Sequence, residues 1–108
     1  MRGIGRKVVT LDIPERVVRG LEDRGCMERG RILRLFLENG VTGCYDRKGR
    51  HRDIHIRPGV LSGDKTRVGL TVVDTTLEML DDICDGTPFT RKSLAEYLIT
   101  TGYEKWIN

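Results

Sequence analysis

Residues Lys7 to Leu21 read KVVTLDIPERVVRGL, and a change of period inside this stretch decides how the rest of the chain is understood. Val9, Leu11 and Ile13 alternate with Val8, Thr10 and Asp12, which is the spacing of a strand with one buried face. At Pro14 the period changes. Proline suits the first turn of a helix, where its missing N–H would have no partner, and Val17, Val18 and Leu21 then fall at helical spacing. The stretch predicts a short strand running directly into a helix.

The passage recurs 59 residues later as TRVGLTVVDTTLEML, Thr66 to Leu80, with Val68, Leu70 and Val72 on one strand face and Leu77 and Leu80 at helical spacing. Thr75 and Glu78 have the spacing of a capping box, so the second helix is expected to start by different chemistry. A second echo has an offset of 62. RILRLFLENG, Arg31 to Gly40, aligns with SLAEYLITTG, Ser93 to Gly102, so the intervening loop is three residues longer in the second copy. Met27 before Ile32 and Phe89 before Leu94 stand in the relation of a hydrophobic staple, and Gly40 and Gly102 stand where left-handed caps end helices.

The expected class is therefore α+β and mostly helical: strand, helix, helix, twice over. The first copy occupies residues 1–40, a linker 41–65 and the second copy 66–108. Helices are expected over 14–24, ended by Gly25, over 28–39, over 74–84, and over 91–101 with Thr90 as cap. Ile32, Leu33, Leu35, Phe36 and Leu37 make the second of these apolar over nearly its whole girth, so partners must enclose it. Tyr103 and Trp106 are expected to lie as aromatic lids over the end of the core. A unit of about 40 residues with one strand leaves that strand unpaired, so the copies must share a core.

Charge is unevenly spread along the 108 residues. Lys+Arg against Asp+Glu is 9 to 6 over residues 1–40, 6 to 3 over 41–65 and 4 to 7 over 66–108, which implies one anion-facing side. The opening MRGIGR is Gly- and Arg-rich without periodicity, an arm able to lie along phosphates. It lacks the apolar stretch of a signal peptide, no run has the length of a membrane span, and a cytoplasmic location is expected, in a host's cytoplasm if the source is a virus. The linker, VTGCYDRKGRHRDIHIRPGVLSGDK, holds four Gly and one Pro around a charged centre, and its flanks allow a small hairpin about Asp46 to Gly49. Cys44, His51, Asp53 and His55 lack the spacing of a metal site, and a solvated basic loop is the better reading. Cys26, Cys44 and Cys84 read as idle intracellular thiols; a Cys26–Cys84 disulfide would require a source that keeps disulfides inside the cell. The chain carries neither a catalytic constellation nor a phosphate-cradling Gly loop, so an enzyme is not expected, and no metal or cofactor is implied.

A strand, a Pro- or Asp-started helix, a short loop and a second apolar helix, with IPERVVRGL as the most distinctive piece, resembles the ribbon-helix-helix fold of the Arc and MetJ repressors. The likeness covers about 75 residues in two halves, and the tandem arrangement is similar to that of regulators found in archaeal viruses. The resemblance implies that strand 7–13 pairs antiparallel with strand 66–72 within the chain, forming a ribbon that enters the DNA major groove over a four-helix core. The exposed faces, Val8, Thr10 and Asp12 with Arg67, Gly69 and Thr71, would then read bases. Arg67 can donate to guanine O6 and N7, the threonines can bond a base edge or touch a thymine methyl, and Asp12 can accept from cytosine N4. Phosphates would be gripped at the starts of the second helices, by Arg29, Gly30 and Arg31 and by Thr90, Arg91 and Lys92, with Lys7 beside the ribbon. Val8 and Gly69 depart from the polar readers usual in the family, and Asp12 brings negative charge towards DNA.

The leading expectation is a sequence-specific double-stranded DNA-binding transcription regulator that gains affinity by self-association on adjacent sites. The alternatives are an antitoxin-like or adaptor protein whose acidic second half, with Asp81, Asp82 and Asp85, binds a protein partner, and a single-strand binder using the linker and Tyr45.

Overall fold

A computed structural model of the chain describes residues 5–46, 48–49, 54, 57–85 and 87–108. The MRGI of the arm, the His51, Asp53 and His55 of the metal reading, and Arg47 and Ile56 of the expected hairpin lie outside the described residues, while Val41, expected on the first flank of that hairpin, belongs to a helix that runs to Gly43. The fold is α+β, with β1 (Arg6–Pro14), α1 (Glu15–Asp23), α2 (Arg29–Gly43), β2 (Lys65–Val73), α3 (Asp74–Cys84) and α4 (Arg91–Ile107). None of these helices is long and apolar enough to cross a membrane.

Strands β1 and β2 pair antiparallel within the chain, with Leu11 opposite Val68 and Val9 opposite Leu70. Alternation turns Leu11, Ile13, Val68, Leu70 and Val72 inward, where they meet Val17, Val18, Leu21, Leu33, Leu37, Leu77, Leu80, Leu94 and Ile99 in one core. Each strand passes into its helix without a break, and the first helical N–H is taken by a carbonyl just ahead of the other strand. Glu15 N–H donates to Asp64 O at 2.8 Å, and Asp74 N–H donates to Gly5 O at 2.8 Å, each pair the counterpart of the other at an offset of 59. This tertiary partner replaces the expected capping box of Thr75 and Glu78: α3 has Val73 as its N-cap and no side-chain cap.

Helix α1 ends as expected. Gly25, at φ 71°, lets its own N–H reach Glu22 O (2.9 Å) and the Cys26 N–H reach Leu21 O (3.0 Å), the paired bonds of a Schellman motif. Gly40 and Gly102 behave otherwise, and the expectation that they end helices is corrected. Both lie inside longer helices, where α2 and α4 press together. A Cβ on Gly40 would lie 3.0 Å from Leu98 Cβ, and one on Gly102 would lie 3.1 Å from Phe36 Cβ, so the two contacts are again counterparts, here at an offset of 62. Glycine inside a helix costs about 1 kcal/mol against alanine, and the close approach of two helix backbones offsets it.

Three further expectations change. Met27 is 96% exposed, so the first staple does not form, whereas Phe89 packs against the core and lies 6.4 Å from the Tyr97 ring. Leu35 is exposed and Ile32 half-buried, while Leu33, Phe36 and Leu37 are enclosed. Helix α4 continues to Ile107, which puts Tyr103 and Trp106 on its last turns; Tyr103 is buried, and Trp106 lies 5.9 Å from the Phe36 ring with the Arg24 guanidinium 5.6 Å from its own centroid. The described part of the linker is fastened down. Val60 is buried in the core, Arg16 donates to the carbonyls of Val60 and Ser62, and Arg57 pairs with Glu104 at 2.5 Å.

Candidate nucleic-acid interface

Burial of one ribbon face leaves the other to solvent. The register sets Val8 opposite Thr71, Thr10 opposite Gly69 and Asp12 opposite Arg67, so all six expected base-reading residues share that outer face. Val8 is 72% exposed there, Thr10, Arg67, Gly69 and Thr71 are exposed, and Asp12 is half-buried. Arg6 and Lys65 lie at opposite ends of the same face; Lys65 was missed by sequence reasoning, and Arg6, expected in the N-terminal arm, belongs to β1. Both are exposed and make no ion pair among the described residues. The alternation that singled out Val8 and Arg67 reaches them by one further step outward along each strand.

Asp12 is the centre of an ion network that crosses from ribbon to core. Its Oδ1 accepts from Arg67 Nε at 3.3 Å and its Oδ2 from Lys92 Nζ at 2.7 Å. Lys92 also donates to Glu96 Oε2 at 2.8 Å, one helical turn along α4, and the same oxygen accepts the Asp12 backbone N–H at 2.7 Å. Glu96 is only 5% exposed, a buried carboxylate satisfied by a cation and a strand N–H. The Lys92 ammonium above all, with Arg67, holds the Asp12 carboxyl below its ordinary value, and Asp12 with Glu96 pushes Lys92 up. The negative charge on the outer face is thus compensated within the protein. Glu96 lies four residues beyond Lys92, a spacing that marks a helical ion pair, but only the tertiary fold brings it to Asp12.

The starts of α2 and α4 differ. Helix α2 has Glu28 as its N-cap with no side-chain cap, Arg29 pairs with Glu22 at 3.0 Å, Arg31 pairs with Glu28 at 3.3 Å, and a Cβ on Gly30 would meet open space. Helix α4 is capped by Thr90, whose Oγ1 accepts the Ser93 N–H at 3.1 Å while its own N–H donates to Ser93 Oγ at 3.0 Å. Arg91 grips Asp81 with two bonds, of 2.7 and 2.5 Å, and that guanidinium holds the Asp81 carboxyl low. Six of the seven expected phosphate residues are therefore brought to two helix starts, though Lys92 is turned towards the ribbon; the seventh, Lys7, is exposed on β1.

Two of the acidic residues of α3 are engaged inside the chain, Asp81 by Arg91 and Asp82 by the Tyr45 hydroxyl, which donates to Asp82 Oδ2 at 3.1 Å. Tyr45 is half-buried against the core. Cys26, Cys44 and Cys84 are free thiols, and the described residues contain no cluster of His, Cys, Asp and Glu able to hold a metal ion. No protein-family model, curated protein or solved structure matches the chain.

Proposed function

We propose that this chain is a sequence-specific double-stranded DNA-binding transcription regulator, built as two ribbon-helix-helix copies that act as a pseudo-dimer on one chain. The β1–β2 ribbon lies in the major groove. The observation that carries this reading is the antiparallel pairing of β1 with β2, with an outer face of Val8, Thr10, Asp12, Arg67, Gly69 and Thr71 turned away from the apolar core. Two further features support the tandem reading: the reciprocal carbonyl bonds to Glu15 and Asp74, and the reciprocal Gly40–Leu98 and Gly102–Phe36 contacts. A two-stranded ribbon fits the major groove, and threonine hydroxyls and an arginine fork match the base edges displayed there.

Arg6, Lys7 and Lys65 add positive charge around the ribbon, as phosphate attraction requires. The cations at the helix starts sit in exposed pairs, Arg29–Glu22 and Arg31–Glu28, of a kind worth about 0.2–1 kcal/mol. Exchanging such a carboxylate for a phosphate costs little. Copies bound at adjacent sites gain affinity by contact with one another.

Footprinting on the region upstream of the protein's own gene, with competition between duplexes of different sequence, tests the reading. One duplex should be protected and should resist competition by others. Arg29→Ala or Arg31→Ala should weaken all duplexes by similar factors and lower the salt slope by roughly one per lost phosphate contact. Equal competition by every duplex, or stronger competition by single strands, overturns the proposal.

A further inference from the structure

We infer that the DNA site is asymmetric: Arg67, positioned by Asp12, takes a guanine at one end, and the methyl groups of Val8 and Thr71 touch a thymine about four base pairs away. This rests on the proposed role of the ribbon and adds the chemistry of its target.

At the first end, Arg67 spends its Nε on Asp12 Oδ1 at 3.3 Å, which leaves both Nη groups for guanine O6 and N7. The other Asp12 oxygen is held by Lys92, itself anchored on the buried Glu96. With both oxygens engaged from within the protein, Asp12 serves as a positioning residue for Arg67. A guanidinium held in this way loses less rotamer freedom on meeting its base.

At the second end, Val8 has no core to gain by facing outward at 72% exposure, and Thr71 stands opposite it with a second methyl. The thymine 5-methyl is the apolar group that the major groove offers. Between the ends, a Cβ on Gly69 would meet only Val8 Cγ1, at 3.6 Å, so the bare backbone beside Thr10 serves approach by an outside surface and not packing. Four residues of strand span roughly 13 Å, the rise of about four base pairs.

The asymmetry follows from the repeat. At the offset of 59, Arg67 stands where the first copy has Val8 and Thr71 where it has Asp12; at the offset of 62, Arg34 stands where the second copy has Glu96. The ion network is therefore confined to one side of the ribbon.

Selection of duplexes by the full chain from a random-sequence pool, followed by anisotropy titrations of single-pair variants, tests the inference. The selected sequence should lack twofold symmetry. Arg67→Ala should erase a guanine preference of about 5- to 150-fold at one position. Asp12→Asn should cut that same preference at least severalfold without weakening random duplex, and should add nothing to Arg67→Ala. Replacing the thymine by deoxyuridine should weaken binding about two- to fourfold, a change made in the DNA and so independent of protein folding. A palindromic selected site, a guanine preference untouched by Asp12→Asn, or indifference to deoxyuridine overturns the inference while leaving the ribbon as reader. A pool that yields no preferred sequence removes the ribbon reading itself, and this inference with it.

Discussion

Single residues separate what folds the protein from what it presents. Gly69 has room for a methyl group and a strand conformation any residue adopts, so Gly69→Ala should leave stability within about 0.5 kcal/mol or raise it. The same methyl would stand on the outer face and should weaken duplex binding; urea unfolding and DNA titration of one sample check both halves. Asp12 makes a contrasting case. Lys92 above all, with Arg67, holds its carboxyl below the ordinary carboxylate value, and Arg91 does the same for Asp81. A depressed carboxylate contributes stability that is present above its unfolded value and lost as pH falls through the folded one. The urea midpoint should therefore fall as pH drops below about 4, and Asp12→Asn should flatten part of that acid slope. Equal slopes in the two proteins would mean that the network contributes nothing to folding.

Among elements, the crossing of α2 and α4 is the tightest test of packing. The neighbours of Gly40 and Gly102 are the Cβ atoms of Leu98 and Phe36, which move only with their helix backbones. Gly40→Ala and Gly102→Ala should each destabilise by about 1–2 kcal/mol by denaturant unfolding, overpacking outweighing the helix propensity of alanine. Alanine that stabilised at either site would show a loose crossing. These glycines also mark where the sequence was legible and where it was not. Both strands, their inward and outward faces, the bounds of α3 and the Gly25 stop could be read because each rests on local period or local backbone. A glycine that ends a helix and one that admits a neighbouring helix look alike along the chain, so α2 and α4 run past the ends expected of them. The start of α3 was obscured for the same kind of reason, since the carbonyl that accepts its first N–H belongs to Gly5, far away in sequence. Of the candidate interface, the six outer residues were legible from alternation; the Glu96–Lys92–Asp12 link was not, because it joins residues 84 positions apart.

For the molecule as a whole, both ribbon strands and the core they cover belong to one chain. Its urea midpoint should then be independent of protein concentration, whereas a ribbon shared between two chains would become more stable as concentration rises. Equilibrium unfolding over a wide concentration range distinguishes them. The linker contributes to the folded body as well: Val60 fills the core and Arg16 binds its carbonyl, so Val60→Ala should lower stability by about 1–2 kcal/mol, measured in the same way. Because each strand of the ribbon is encoded once, one codon change alters one side of the outer face and leaves the other as it was. In an assembly of two identical chains, the same change would strike both sides together. Under the proposed role, this chain can drift from one target sequence to another by single base pairs, and each intermediate keeps its grip on the half of the target that has not changed.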